Sequence, residues 1–118
     1  MVDKPPWLIA RRDRAMWVFV RGLANLITYS RGRVVSASVR KIIKAYTWGE
    51  EPVELTANEL TVIKYLLERF HEKFGVGIHE TKRERYYMID ARRVREITRG
   101  NPWSIEELIA NVTIGDEP

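Results

Sequence analysis

The chain has 118 residues, of which 45% are apolar and 31% are charged, and it contains no cysteine. These proportions predict one globular domain, and they exclude a disulfide framework, a thiolate metal site and a cysteine nucleophile. The most apolar stretch, residues 15–27, is interrupted by Arg21 and is shorter than the roughly 20 residues of a membrane-spanning helix. We therefore expect a cytoplasmic protein without a membrane segment or a signal peptide.

The formal net charge of +4 is divided unevenly along the chain. Residues 1–49 hold ten Lys and Arg against two acidic residues, and residues 50–118 hold ten against fourteen. A basic half of this kind indicates a polyanionic partner, and the alternative is a basic face that is only solvated.

The first half of the chain predicts two helices. Apolar residues recur with a helical period over residues 7–29, which favours one long helix, and residues 29–33 are expected to form a loop. Ser36 or Ser38 is placed to cap a second helix that runs to about Tyr46. One face of this helix is apolar and the other is basic, so it is amphipathic.

The second half predicts a helix, a hairpin and two further helices. Thr56 and Glu59 form a capping box before a third helix, which Gly75 is expected to end. Its expected core stripe is Leu60, Ile63, Leu66, Leu67, Phe70 and Phe74. Residues 76–80 and 85–90 are expected to form a β-hairpin with a charged tip.

Residues 91–98 then predict a short helix, with Val94 and Ile97 directed inward and Arg92, Arg95 and Arg99 outward. A second capping box, Ser104 and Glu107, is expected to open a last helix that runs to about Val112. The predicted fold class is therefore α+β, a small and mostly helical single domain of four to five helices with one antiparallel β-hairpin.

The polar face of the first helix carries the first functional signal. Arg14, Trp17 and Arg21 lie together on a helical wheel, opposite the apolar stripe. An outward indole between two guanidinium groups suits nucleic acid, because the ring stacks on a base while the cations reach flanking phosphates. The alternative is that Trp17 packs in a subunit interface or under the hairpin.

The second helix and the preceding loop repeat this combination of cations and aromatic rings, which is typical of a track for a flexible single strand. The hairpin tip, with Lys82, Arg83 and Arg85 followed by Tyr86 and Tyr87, is more simply an ordinary charged turn. The predicted nucleic-acid-binding residues are Arg14, Trp17, Arg21, Tyr29, Arg31, Arg33, Arg40, Lys41, Lys44 and Trp48.

Catalytic and metal-binding patterns are weak. His71-Glu72 and His79-Glu80 lack the spacing that places two imidazoles on one helical face for zinc. Glu80, Glu84 and Asp90 are better interpreted as partners of arginines than as magnesium ligands. We therefore expect no catalytic site, no metal site and no cofactor.

A single-stranded-DNA binder is the leading hypothesis, and a winged helix-turn-helix regulator of double-stranded DNA is the main alternative. The predicted helices are separated by about seven and ten residues, whereas a helix-turn-helix uses a 3–4-residue turn. The third helix balances Lys64, Arg69 and Lys73 against three glutamates, which is unfavourable for a helix that enters a DNA groove. An RNA-binding component and a protein-interaction module remain open.

The basic, aromatic-bearing helical half followed by a hairpin resembles the archaeal ThermoDBP-related single-stranded-DNA-binding proteins. The resemblance covers most of the chain and includes its size, its charge and a thermophilic composition, with 14 Arg to 6 Lys and no Gln. It implies sequence-independent binding of single strands in a cleft of basic and apolar side chains, together with self-association. The first helix gives a separate reason to expect a homo-oligomer, a dimer or tetramer, because its apolar residues cover more than half of its circumference.

Overall fold

The computed structural model describes residues 13–51 and 53–114. Within these residues the chain forms five helices and a three-stranded antiparallel sheet, a small α+β domain as predicted. The elements in chain order are α1 Asp13–Thr28, β1 Val34–Ala37, α2 Val39–Thr47, α3 Ala57–Phe74, β2 Gly75–Glu80, β3 Arg85–Asp90, α4 Ala91–Thr98 and α5 Pro102–Thr113. The part of the predicted first helix before residue 13 lies outside the described residues.

Helix α1 is the centre of the domain, because α2, α3 and α5 all pack against it. Phe19, Leu23 and Ile27 are fully buried, and they contact a core that includes Phe70 of α3 and Ile109 of α5. Burial extends around most of the helix rather than along one stripe. Other elements of the same chain thus cover the wide apolar surface that led us to expect self-association.

Helix α2 begins where the sequence predicts, since the hydroxyl of Ser38 accepts a hydrogen bond from the backbone N–H of Lys41. It crosses α1 closely at Gly22, where a Cβ atom would overlap the carbonyl oxygen of Ile42. The amide of Asn25 fixes this crossing by donating a 2.9 Å hydrogen bond to the carbonyl of Ala45. The position of α2 on α1 is therefore determined by a glycine and an asparagine.

Helix α3 is confirmed, with the reciprocal capping box of Thr56 and Glu59 at its start and Gly75 directly after it. Five of its six predicted core residues are buried. Leu60 is the exception, because 39% of its surface is exposed. It lies one turn into the helix, where the described chain covers only part of the apolar side.

The sheet has one strand more than predicted. The hairpin of β2 and β3 is confirmed, but β1 also pairs antiparallel with β3, which gives the order β1-β3-β2. Val35 and Ala37 of β1 face the core side beside Ile89 and Tyr87. A stretch of four residues is too short for an alternation of apolar and polar side chains to predict a strand. It becomes a strand because β3 pairs with its backbone groups.

Two details of the C-terminal helices correct the prediction. In α4, Ile97 is half exposed, whereas Arg95 points back to the chain and donates hydrogen bonds to three carbonyl groups. Helix α5 begins earlier than predicted, because Asn101 rather than Ser104 is its N-cap and Pro102 occupies its first turn.

Within the described residues, no helix is long and apolar enough to cross a membrane.

Candidate nucleic-acid interface

The two arginines predicted on the polar face of α1 are engaged within the chain. Arg14 donates two hydrogen bonds to the carboxylate of Glu59, at 2.8 and 2.6 Å, and a third to the carbonyl of Glu54. The pKa of Glu59 is lowered to about 2, and the hydrogen bond from Arg14 is the largest cause. Nε of Arg21 lies 3.1 Å from Oε2 of Glu106 but is not aligned for a hydrogen bond.

Trp17 is not the open stacking surface that the helical wheel predicts. Its side chain is partly buried, and the guanidinium carbon of Arg21 lies 4.3 Å from the centroid of its ring. Helix α5 packs against α1 and carries Glu106, whose pKa is raised by burial despite the opposing effect of Arg21. The polar face of α1 is therefore engaged by other elements, Arg14 by Glu59 of α3 and Arg21 by Glu106 of α5, which a wheel of one helix cannot reveal.

The polar face of α2, by contrast, is open. Arg40, Lys41 and Lys44 are exposed, and we name them the α2 basic face. None of them forms an ion pair with another described residue. No acidic residue occurs between Asp13 and Glu50, so the local sequence supplies no neutralising partner. Three cations are thus available to an anion.

Aromatic rings lie at both ends of the α2 basic face. At the start of the helix, Nζ of Lys41 lies 5.8 Å from the centroid of Tyr86 on β3. At its end, Trp48 adopts a left-handed backbone conformation, and its ring meets that of Tyr29 edge to face, with centroids 5.3 Å apart. Tyr29 is 67% exposed and Trp48 is 55% exposed.

The two aromatic sites are separated by a length that suits a short single strand. Seven residues lead from Lys41 to Trp48, a rise of about 10 Å along a helix. This length corresponds to about three nucleotide steps at the 3.4 Å spacing of one stacked strand. The structure therefore places the half-buried ring of Tyr86 at one end of the α2 basic face and the exposed rings of Tyr29 and Trp48 at the other.

A groove of about 580 Å³ runs beside α2. Val39, Ile43, Val53 and Leu60 line its apolar part, and Arg40, Lys44, Glu51 and Glu84 are the charged residues at its wall. Glu84 also raises the pKa of the neighbouring Tyr86 phenol, mainly through a hydrogen bond. The exposed Leu60 thus has a place in this groove rather than in the core.

The loop before β1 presents Arg31 and Arg33, both exposed. Arg95 holds this loop, since its guanidinium group donates to the carbonyls of Ile27, Ser30 and Gly32. The backbone N–H of Arg92 also donates to the carbonyl of Arg33. The loop is therefore attached to α4, and its two arginines extend from an anchored backbone.

The structure brings together only part of the predicted site. The α2 basic face is followed directly by Trp48, the C-cap of α2, and the ring of Tyr29 contacts that of Trp48. Arg14, Trp17 and Arg21 instead belong to internal contacts of α1. Sequence reasoning gave little weight to Tyr86, although strand alternation indicates it: Tyr87 is buried, so its neighbour lies on the other side of the sheet. The groove had no sequence signal, because its lining comes from separate segments.

The carboxylates and histidines discussed as ligands have other contacts. Glu80 pairs with Arg85 at 2.9 Å, and Asp90 caps α4 by accepting from the N–H of Arg93. His71 forms a 2.8 Å hydrogen bond with the carbonyl of Gly77. Across residues 13–51 and 53–114, no three His, Asp or Glu side chains lie close enough to hold a metal ion together.

Comparisons with protein-family models, with curated proteins and with solved structures give no match. The resemblance to ThermoDBP-related proteins therefore stays an expectation from the sequence.

Proposed function

We propose that this protein binds single-stranded nucleic acid, with DNA as the favoured ligand, along the surface of α2. One observation carries the proposal: the α2 basic face has no ion-pair partner among the described residues and is bordered by the half-buried ring of Tyr86 and the exposed rings of Tyr29 and Trp48. Unpaired cations attract phosphates, and exposed rings are available to stack on bases.

The preference for a single strand follows from the rings. Tyr29, Trp48 and Tyr86 can stack only on bases whose faces are free, and the bases of a duplex are already stacked on one another. Stacking of one base on an aromatic side chain contributes about 1–3 kcal/mol and does not depend strongly on base identity. The ligand is accordingly a flexible strand whose order of bases is not read.

A competition assay at fixed salt tests the proposal directly. Single-stranded DNA, duplex DNA and RNA of equal length compete for the protein, and we expect single-stranded DNA to bind at least several-fold tighter than the duplex. The RNA arm decides between the two kinds of single strand. A strong preference for one duplex sequence would refute single-strand binding.

The second candidate is a winged helix-turn-helix protein that binds duplex DNA, and a specific observation favours it. A strand between the first two helices that pairs with a following hairpin is also the connectivity of winged-helix domains. Two observations oppose it: residues 48–56 separate α2 from α3, a longer connection than a helix-turn-helix has, and the exposed side of α3 mixes Lys64 with Glu72.

A matched pair of lysines separates the two candidates. Lys44 and Lys64 are both exposed lysines on helices, but Lys44 lies on the α2 basic face and Lys64 on α3. Lys44→Ala is expected to weaken single-strand binding, and Lys64→Ala is expected to leave it unchanged. The winged-helix candidate predicts the reverse for duplex DNA, because α3 would then enter the major groove.

Self-association, cytoplasmic location and a heat-adapted archaeal source remain parts of the proposal. The original reason for self-association does not hold for the described residues, because α1 is covered within one chain. A different surface is available for self-association on β2, where the apolar side chains of Val76 and Ile78 are exposed. The two surfaces are distinct, so binding and association can be examined separately.

A further inference from the structure

We propose that the groove beside α2 selects nucleobases that carry an exocyclic amino group, and that Glu51 and Glu84 make this selection. The inference rests on the proposed function, because it assumes that a single strand lies along α2. It adds a preference for base type to a mode of binding that does not read base order.

The cations and the carboxylates of the groove come from different elements of the chain. Arg40 and Lys44 come from α2, whereas Glu51 follows the helix and Glu84 belongs to the hairpin tip. Neither carboxylate forms an ion pair with another described residue. A phosphate held by the two cations is repelled by the carboxylates, so the part of the nucleotide that faces them is its base.

The apolar lining suits the flat face of that base. Val39, Ile43, Val53 and Leu60 supply the lining, and Leu60 is left 39% exposed by the rest of the chain. The volume of about 580 Å³ lies within the range of about 300–1,000 Å³ that is typical of small-ligand sites. A nucleoside therefore fits, with its ring on apolar atoms and its polar edge at the wall.

The chemistry of an ionised carboxylate then decides which edge is accepted. Such a group accepts hydrogen bonds and donates none. Cytosine and adenine present amino donors, N4–H and N6–H, where thymine presents the O4 acceptor. Glu51 and Glu84 consequently attract the first two bases and repel the third. Cytosine and thymine have similar rings, so their comparison isolates this effect from stacking.

The test compares oligo(dC) with oligo(dT) of equal length at neutral pH and fixed salt. We expect the wild-type protein to bind oligo(dC) about fivefold tighter or more, as a hydrogen bond from cytosine N4 to a carboxylate gives discrimination of that order. In the double variant Glu51→Gln with Glu84→Gln, the ratio of the two affinities is expected to fall toward one. The ratio is the readout because a change in net charge affects both ligands alike.

Glu107→Gln is the matched control, since it removes an exposed carboxylate on α5 that does not line the groove. It is expected to preserve the wild-type ratio. Equal binding of the two oligomers by wild-type protein, or a ratio unchanged in the double variant, overturns the inference and leaves single-strand binding intact. Failure of the wild-type protein to bind either oligomer overturns the proposed function as well.

Discussion

Trp48 and Lys44 belong to the same surface but contribute to binding in different ways. Trp48→Ala is expected to weaken single-strand binding by about 1–3 kcal/mol, the contribution of one stacked base, without changing the salt dependence. Lys44→Ala is expected to reduce the slope of log K against log salt by about 0.7, because one phosphate contact and its released counterions are lost. Fluorescence titrations at several salt concentrations measure both quantities.

Trp103→Ala is the control for the first substitution. Trp103 is 71% exposed on α5 and is not part of the α2 surface, so its removal is expected to leave binding unchanged. Equal losses from Trp48→Ala and Trp103→Ala would show that the stacking site has been placed wrongly. Thermal melts of each variant show whether it is folded under the conditions of the binding assay.

Glu59 gives the protein an acid-sensitive contact. Its pKa is about 2 in the folded chain, against an ordinary value of 4.5, so below pH 4.5 the unfolded chain binds protons that the folded chain does not. Stability from this contact is present above pH 4.5 and is lost as the pH falls toward 2. Glu59→Gln is expected to lower the melting temperature at neutral pH and to reduce its decline in acid.

Melting temperatures measured between neutral pH and pH 2 check this expectation. Glu72→Gln serves as the comparison, because Glu72 is an exposed carboxylate on the same helix and forms no ion pair with a described residue. A decline in acid that is the same in wild type and Glu59→Gln would mean that the bond to Arg14 contributes nothing to stability.

At the scale of elements, the connection between α1 and β1 depends on one side chain of α4. Arg95 satisfies the carbonyls of Ile27, Ser30 and Gly32, and unsatisfied buried polar groups cost about 1–3 kcal/mol each. Arg95→Met is expected to destabilise the fold by about 1–3 kcal/mol, chiefly because the partly buried carbonyl of Ser30 loses the donor that Arg95 supplies. The carbonyl of Ile27 still accepts from the backbone N–H of Ser30, and the bond to Gly32 is exposed. Denaturant unfolding measures the loss.

The same substitution is expected to loosen the loop itself. Trypsin cleaves after arginine, and the exposed Arg31 and Arg33 therefore report on the order of the loop under native conditions. Faster cleavage is expected in Arg95→Met and not in Arg92→Met, since the Arg92 side chain pairs with Glu96 on its own helix, at 3.7 Å, and donates to no carbonyl of the loop among the described residues. Equal cleavage in both variants would contradict an anchoring role for Arg95.

At the scale of the whole molecule, self-association is expected to depend on β2. This strand is at the edge of the sheet, and its Val76 and Ile78 are 55% and 51% exposed. An exposed edge with apolar side chains offers unpaired backbone groups to a second copy, and a lysine opposes such pairing. We expect a dimer or larger assembly at micromolar concentration in sedimentation, and a monomer for Ile78→Lys.

Ile97→Lys is the matched control, because Ile97 is equally exposed but lies on α4. Wild-type protein that sediments as a monomer would end the proposal of self-association. An assembly that persists in Ile78→Lys but is lost in Ile97→Lys would move the contact from β2 to α4.

Local patterns in the sequence were sufficient to predict several of the helices and strands. The Thr56–Glu59 capping box and the strand β3 are confirmed, and of the two caps predicted for α2, Ser36 or Ser38, Ser38 is the one observed. The basic face of α2 could also be predicted, since the spacing of cationic residues along a helix determines which of them share a face. Periodicity and capping act over one or two turns, so a linear pattern records them.

Which polar faces remain open depends instead on contacts between distant parts of the chain. Arg14 and Arg40 look alike in the sequence, but Glu59 neutralises the first and no described carboxylate pairs with the second. Likewise, β1 is a strand because β3 satisfies its backbone, and Arg21 is held against Glu106 because α5 packs against α1. These outcomes depend on contacts between residues far apart in the chain, and neither composition nor local period contains that information.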